Sequence, residues 1–97
     1  MSIPNLQQFE NHQQETFTIH FNTENPGVCR VKEISVSKSP AKRDGGKQFS
    51  VVFTHPDPTV YEQGLYPVSH PELGEFELFL VPIYGDNSEV DYEAVFS

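Results

Sequence analysis

The chain has 97 residues, a formal net charge of −8 at pH 7, 36% hydrophobic residues and 12% aromatic residues. This length corresponds to a single domain, residues 1–97, with one modest core, and it excludes a multidomain enzyme. No apolar run approaches the length of about 18 residues that a membrane-spanning helix needs, and the net charge repels nucleic acid and anionic membranes.

The first predicted elements are a short helix and two strands. Residues 3–12 place apolar side chains three positions apart, which predicts a short amphipathic helix with Pro4 in its first turn. Residues 15–22 alternate apolar and polar side chains, which predicts a strand that buries Phe17, Ile19 and Phe21. Residues 28–36 predict a second strand, and its broken alternation indicates a β-bulge.

The middle of the chain predicts a long hairpin. All six Lys and Arg lie between positions 30 and 47, and the polar segment 37–47 is expected to form a basic loop. This loop could hold an anionic partner or the acidic half of a neighbouring copy, although a solvated hairpin tip is the simpler interpretation. Residues 48–54 predict a strand that buries Phe49, Val51 and Phe53, and residues 64–69 predict a short strand between Pro-containing turns.

The segment 75–84 is the most informative predicted strand. Apolar residues occupy both of its parities, with Phe76, Leu78, Leu80 and Pro82 on one and Phe79, Val81 and Ile83 on the other. From position 78 onward both faces therefore need cover, from a second layer of the same chain or from a partner. Residues 90–96 alternate again and predict a closing strand that forms an antiparallel hairpin with this one.

Together these elements predict a mainly β fold with a minor α component. The expected architecture is an antiparallel six-stranded small barrel or rolled sheet with a short N-terminal helix as a plug. The N-terminus shows no secretory pattern, and the single Cys29 can form no internal disulfide, so we expect a cytoplasmic protein.

Two His-x-carboxylate pairs are candidates for a metal site or an active site. If the turns that carry them met in space, they would offer a divalent metal the side chains of His55, Asp57, His70 and Glu72, as in a small metal-dependent or hydrolytic enzyme. Both pairs lie in Pro-containing turns, where exposed His and acidic residues are ordinary. We therefore expect no catalytic residue, no metal and no cofactor.

Two further groups have both a chemical and a structural interpretation. Cys29 could act as a nucleophile with His20 as its base, but a lone Cys in a strand is more often a small buried hydrophobic residue. The acidic residues of the second half could include an acid–base pair. Alternate positions on adjacent strands instead predict a solvated face for Glu75, Glu77, Asp91 and Glu93.

Four segments in the second half of the chain form a recognisable set: FSVVF at 49–53, QGLYPVSHPELG at 63–74, FLVPI at 79–83 and YEAVF at 92–96. In these segments, and more loosely around Phe9 and Phe17, the chain resembles a family of small bacterial domains of unknown function (DUF6916-like). The resemblance implies a compact, single-domain, mostly β protein. It supplies no catalytic residues and implies an accessory role in an assembly of the phage-tail-like kind.

The expected function is that of a non-enzymatic interaction or accessory module. Its partner would be another protein or a second copy, as in a homodimer, with no nucleic acid and no membrane. The expected interaction surface comprises Tyr61, Leu65, Tyr66, Phe79, Val81 and Ile83. A small-ligand-binding barrel is a further alternative, although the hydroxyls of Tyr66 and Tyr92 are better suited to locking hairpins than to contacting a ligand.

Overall fold

Six β-strands and one short helix follow one another along the chain. A computed structural model describes residues 3–22, 24, 26–36 and 48–96. The elements are α1 (Leu6–Asn11), β1 (Thr16–Ile19), β2 (Gly27–Val36), β3 (Phe49–His55), β4 (Gly64–His70), β5 (Gly74–Gly85) and β6 (Val90–Phe96). The predicted basic loop 37–47 lies outside the described residues. In the described part of the chain, no helix has the length and apolar character needed to cross a bilayer.

The strands close into an antiparallel barrel in the order β1-β2-β3-β6-β5-β4. Two residue pairs between β1 and β4 complete the closure, Thr18 with Ser69 and Ile19 with Val68. The predicted barrel is thus confirmed, and so is the bulge in β2, where the register against β3 shifts between Val31 and Glu33. Because β1 and β4, at the two ends of this strand order, also pair with each other, the six strands enclose a single interior.

The barrel interior holds the side chains that alternation assigned to it. Phe17, Ile19, Val51, Phe53, Leu80 and Tyr92 are fully buried. Along each strand they alternate with outward-facing residues, as the period of two requires. On β3 the outward residues Val52 and Thr54 are buried as well. The bulky inward side chains fill the interior, which counts against the alternative of a ligand-holding barrel.

Helix α1 closes one end of the barrel. Asn5 caps the helix, since its side chain accepts from the backbone N–H of Gln8 while the side chain of Gln8 accepts from the backbone N–H of Asn5. Pro4 therefore precedes the cap, and its predicted place in the first turn is wrong. The helix directs the fully buried Phe9 onto the rings of Phe17, Phe49, Phe53, Phe76 and Phe96.

The connection between β3 and β4 closes the other end. These strands occupy opposite sides of the ring of strands, so residues 56–63 must cross the barrel mouth. Tyr61 in this crossing stacks on Phe21, with ring centres 4.5 Å apart. The hydroxyl of Tyr92 accepts from the backbone N–H of Tyr61 and donates to the carbonyl of Thr59. Tyr92 thus holds the crossing segment from inside the barrel.

Candidate functional site

The two His-x-carboxylate turns lie at opposite ends of the barrel. His70 pairs with Gly74, the first residue of β5, whereas His55 pairs with Val90, which pairs in turn with Gly85 at the end of β5. Their ring neighbours also differ, since His55 contacts Phe21 and Tyr61 while His70 contacts His12 and Phe17. The hypothetical four-residue metal site is therefore not formed.

His70 instead joins two residues that the sequence did not single out. Glu15 Oε1 lies 2.6 Å from Nε2 of His70 and 2.9 Å from Nδ1 of His12. Among the described residues, this trio is the only cluster of three or more His, Cys, Asp or Glu with metal-ligand spacing. No local pattern could reveal it, because 55 positions separate Glu15 from His70 and only barrel closure brings them together.

The hydrogen bonds of His70 decide what this cluster can do. Its Nδ1 accepts from the backbone N–H groups of Glu72 at 3.0 Å and Leu73 at 3.2 Å. The neutral ring must then carry its proton on Nε2, which donates to Glu15. A metal bound to Nε2 would force the proton onto Nδ1. The Nδ1–H group would then face the backbone N–H groups of Glu72 and Leu73, which need an acceptor there. The cluster is thus built to anchor the turn after β4, and its geometry opposes metal binding.

Removing the carboxylate of Glu15 is expected to reduce acid sensitivity. The hydrogen bond from His12 is the main cause that holds the pKa of Glu15 below its ordinary value of 4.5; desolvation opposes it, and the hydrogen bond from His70 and the charges of both histidines lower the pKa further. A depressed folded-state pKa gives stability that is present above the unfolded pKa and is lost as pH falls through the folded one. The urea midpoint of Glu15→Gln should therefore fall less steeply than that of the wild type below about pH 4.5.

Glu10→Gln is the matched control, because Glu10 is an exposed glutamate on the neighbouring helix α1. It should keep the pH dependence of the wild type. If the urea midpoints of Glu15→Gln and the wild type fell equally steeply with decreasing pH, the two histidines would not lower the pKa of the Glu15 carboxyl in the folded state.

The Cys29 and His20 pair has no catalytic geometry. Cys29 is fully buried, and its thiol contacts the carbonyl oxygen of Gly27. Burial raises the pKa of the Cys29 thiol to about 12, so the nucleophilic thiolate is suppressed at neutral pH. The His20 ring lies 3.3 Å from the hydroxyl of Ser69. The interpretation of Cys29 as a small core residue is the one that fits.

Asp91 departs from the predicted solvated face, because it is only 3% exposed. Thr54 donates its hydroxyl proton to Oδ1 at 2.8 Å, and Lys32 donates to Oδ2 at 2.7 Å. A register shift between Pro82 and Tyr84 sets Tyr84 opposite Asp91. The Lys32 ammonium lies 5.6 Å from the centre of the Tyr84 ring. Strand parity identified the outward direction of Asp91, but it could not show that neighbouring side chains cover it.

The outward side of β4 and β5 carries exposed apolar side chains. Leu65 and Phe79 face each other across the two strands, and they are 59% and 54% exposed. The half-buried Val81 and the exposed Ile83 continue the row along β5, and we call Leu65, Phe79, Val81 and Ile83 the β4–β5 face. The sequence allowed two kinds of cover for this strand, a second layer of the same chain or a partner. Among the described residues no second layer covers it, and Leu65, Phe79 and Ile83 remain exposed.

Two residues of the expected surface belong elsewhere. Tyr61 and Tyr66 are half-buried and pack on Phe21 at the barrel mouth. The hydroxyl of Tyr66 donates to the carbonyl of Glu62, which holds the segment that enters β4. Both tyrosines therefore help to close the barrel end, whereas the other four residues point outward.

These features define a class of protein: a small closed antiparallel barrel with both ends capped by aromatic side chains and with an apolar outer face. The family model for a domain of unknown function (DUF6916) matches residues 4–96, and the chain belongs to this family. The resemblance seen in the sequence is thereby confirmed. Comparisons with curated proteins and with solved structures returned no match.

Proposed function

We propose that this chain is a non-enzymatic interaction module that docks another protein through the β4–β5 face. The observation that carries the proposal is the direct pairing of Leu65 with Phe79, both more than half exposed, on a barrel whose interior is already filled. A working surface must then lie outside the wall. Such a role is of the kind that the family resemblance implies, an accessory component of a larger assembly.

The energetics of this face favour docking. Single exposed apolar residues are ordinary on protein surfaces, but a contiguous row is a common mark of an interface. Directly opposed residues on antiparallel strands have Cβ atoms about 5 Å apart, so one partner group can cover Leu65 and Phe79 together. Full burial of such a side chain contributes about 1.5–3 kcal/mol, and Leu65 and Phe79, each a little more than half exposed, can contribute roughly half of that at the centre of an interface.

A photo-cross-linking residue at position 79 tests the proposal. We expect p-benzoylphenylalanine in place of Phe79 to give a discrete adduct in cells that naturally express the protein. Leu65→Ser should abolish that adduct, since Leu65 forms the other half of the pair. Val28 is the matched control site, because it is also 54% exposed but lies on β2.

The mass of the adduct shows whether the partner is a second copy or another protein. The absence of an adduct at position 79 would contradict the proposal. So would an adduct that forms equally well from position 28, or one that survives Leu65→Ser.

A further inference from the structure

The β4–β5 face lies between carboxylates that have no cationic partner among the described residues. On β5, Glu75 and Glu77 precede Phe79 on the same outward parity, and both are exposed. On β6, Glu93 pairs directly with Val81. In the part of the chain that the structure describes, none of these three carboxylates is within ion-pairing distance of a cation.

The part of the sequence that carries these carboxylates contains no cation of its own. Residues 48–97 contain nine acidic residues and neither Lys nor Arg. An interface that buries the apolar row places these carboxylates at its rim, where opposite charge across the interface speeds association and like charge rejects a partner.

We infer that the partner of the β4–β5 face presents an apolar centre ringed by Lys or Arg; this inference rests on the proposed docking function. A symmetric pair of copies is the less favourable occupant. A two-fold axis through the face would bring Glu77 and Glu93 of one copy against the same carboxylates of the other. The negative charge around the β4–β5 face therefore favours a basic partner over the same face of a second copy of this protein.

Three labelled peptides test the inference by fluorescence anisotropy with the full chain. Each peptide has the apolar centre Leu-Phe-Val, flanked on both sides by Lys, by Ser or by Glu. The Lys-flanked peptide should bind most tightly, and its affinity should fall between about 0.05 M and 0.5 M NaCl, because salt screens exposed charges. The Glu-flanked peptide should bind most weakly.

Variants of the chain separate the apolar and charged contributions. Phe79→Ser leaves the net charge unchanged and should abolish binding of the Lys-flanked peptide. The double variant Glu77→Gln/Glu93→Gln should weaken it about threefold to tenfold, the range for two exposed ion pairs. Glu10→Gln/Glu24→Gln removes the same charge from exposed positions outside the face and should leave the affinity unchanged.

Each contrary outcome identifies which proposal fails. Equal binding of the Ser-flanked and Lys-flanked peptides, with loss in Phe79→Ser, would overturn the basic partner and leave the docking face standing. Binding that is insensitive to Phe79→Ser would overturn the docking face itself. If the two double variants weakened binding equally, the attraction would come from the net charge of the protein and not from Glu77 and Glu93, which would overturn the inference of a basic partner. Failure of the Lys-flanked peptide to bind would overturn that inference as well.

Discussion

Replacing Phe9 with Ala is expected to destabilise the protein by about 3–5 kcal/mol, the largest effect of any substitution considered. Phe9 is fully buried, and its ring centre lies 5.3–6.4 Å from those of five other phenylalanines. The substitution removes the plug and leaves a cavity among rings that strands on all sides of the barrel hold in place. The urea midpoint and the melting temperature measure the loss.

Phe79→Ala is the matched control for this prediction. It removes the same ring from a position that is 54% exposed, so the stability should change by less than about 1 kcal/mol. If Phe9→Ala does not fold, Phe9→Leu keeps part of the packing and should still lower the midpoint clearly. Equal effects of Phe9→Ala and Phe79→Ala would show that α1 does not plug the barrel.

Replacing His70 with Ala is expected to cost about 2–4 kcal/mol, since it removes a buried side chain together with the three hydrogen bonds that this side chain makes. The substitution leaves the N–H groups of Glu72 and Leu73 without their acceptor and removes the donor to Glu15. It also removes a side chain that is only 1% exposed. Denaturant unfolding at neutral pH measures the cost.

Two conservative variants divide this cost between the two ring nitrogens. His70→Asn places an oxygen where Nδ1 accepts from the turn, and His70→Gln places an amide N–H closer to the position of Nε2. We expect Asn to restore more stability than Gln, because Glu15 is 46% exposed and water can replace its hydrogen bond.

His12→Ala serves as the control for the His70 series, because it removes one hydrogen bond to Glu15 and leaves the turn intact. It should cost less than any of the three His70 substitutions. A Gln variant more stable than the Asn variant would show that the pairing with Glu15, and not the turn, is what His70 supports.

Alternation and turn chemistry were enough to predict most of the barrel wall. Phe17, Ile19, Val51 and Phe53 lie inside as their spacing indicates, because successive side chains on a strand point to opposite faces. The bulge in β2 was visible in the same way, since an extra residue breaks the period of two. Pro4 was misplaced because Asn5, and not the proline, marks the start of the helix.

The candidate sites were harder to predict, because their members come from distant parts of the chain. His55 and His70 carry similar local patterns and each ends a strand, yet β3 and β4 run in opposite directions, which places the two residues at opposite barrel ends. Asp91 looked solvated because its parity is outward, and only the positions of Lys32 and Tyr84 explain its burial.

The amino-acid sequence by itself determined the wall of this protein, its helical plug and the excess of apolar side chains on β5, because local spacing decides which side of a strand or helix a residue occupies. Tertiary structure alone decided what those outward residues meet. Closure used every strand of the chain in one layer, so Leu65 and Phe79 remained uncovered while Asp91 was enclosed. It also joined Glu15 to His70, since a contact across a barrel depends on strand order and register, which no local pattern encodes.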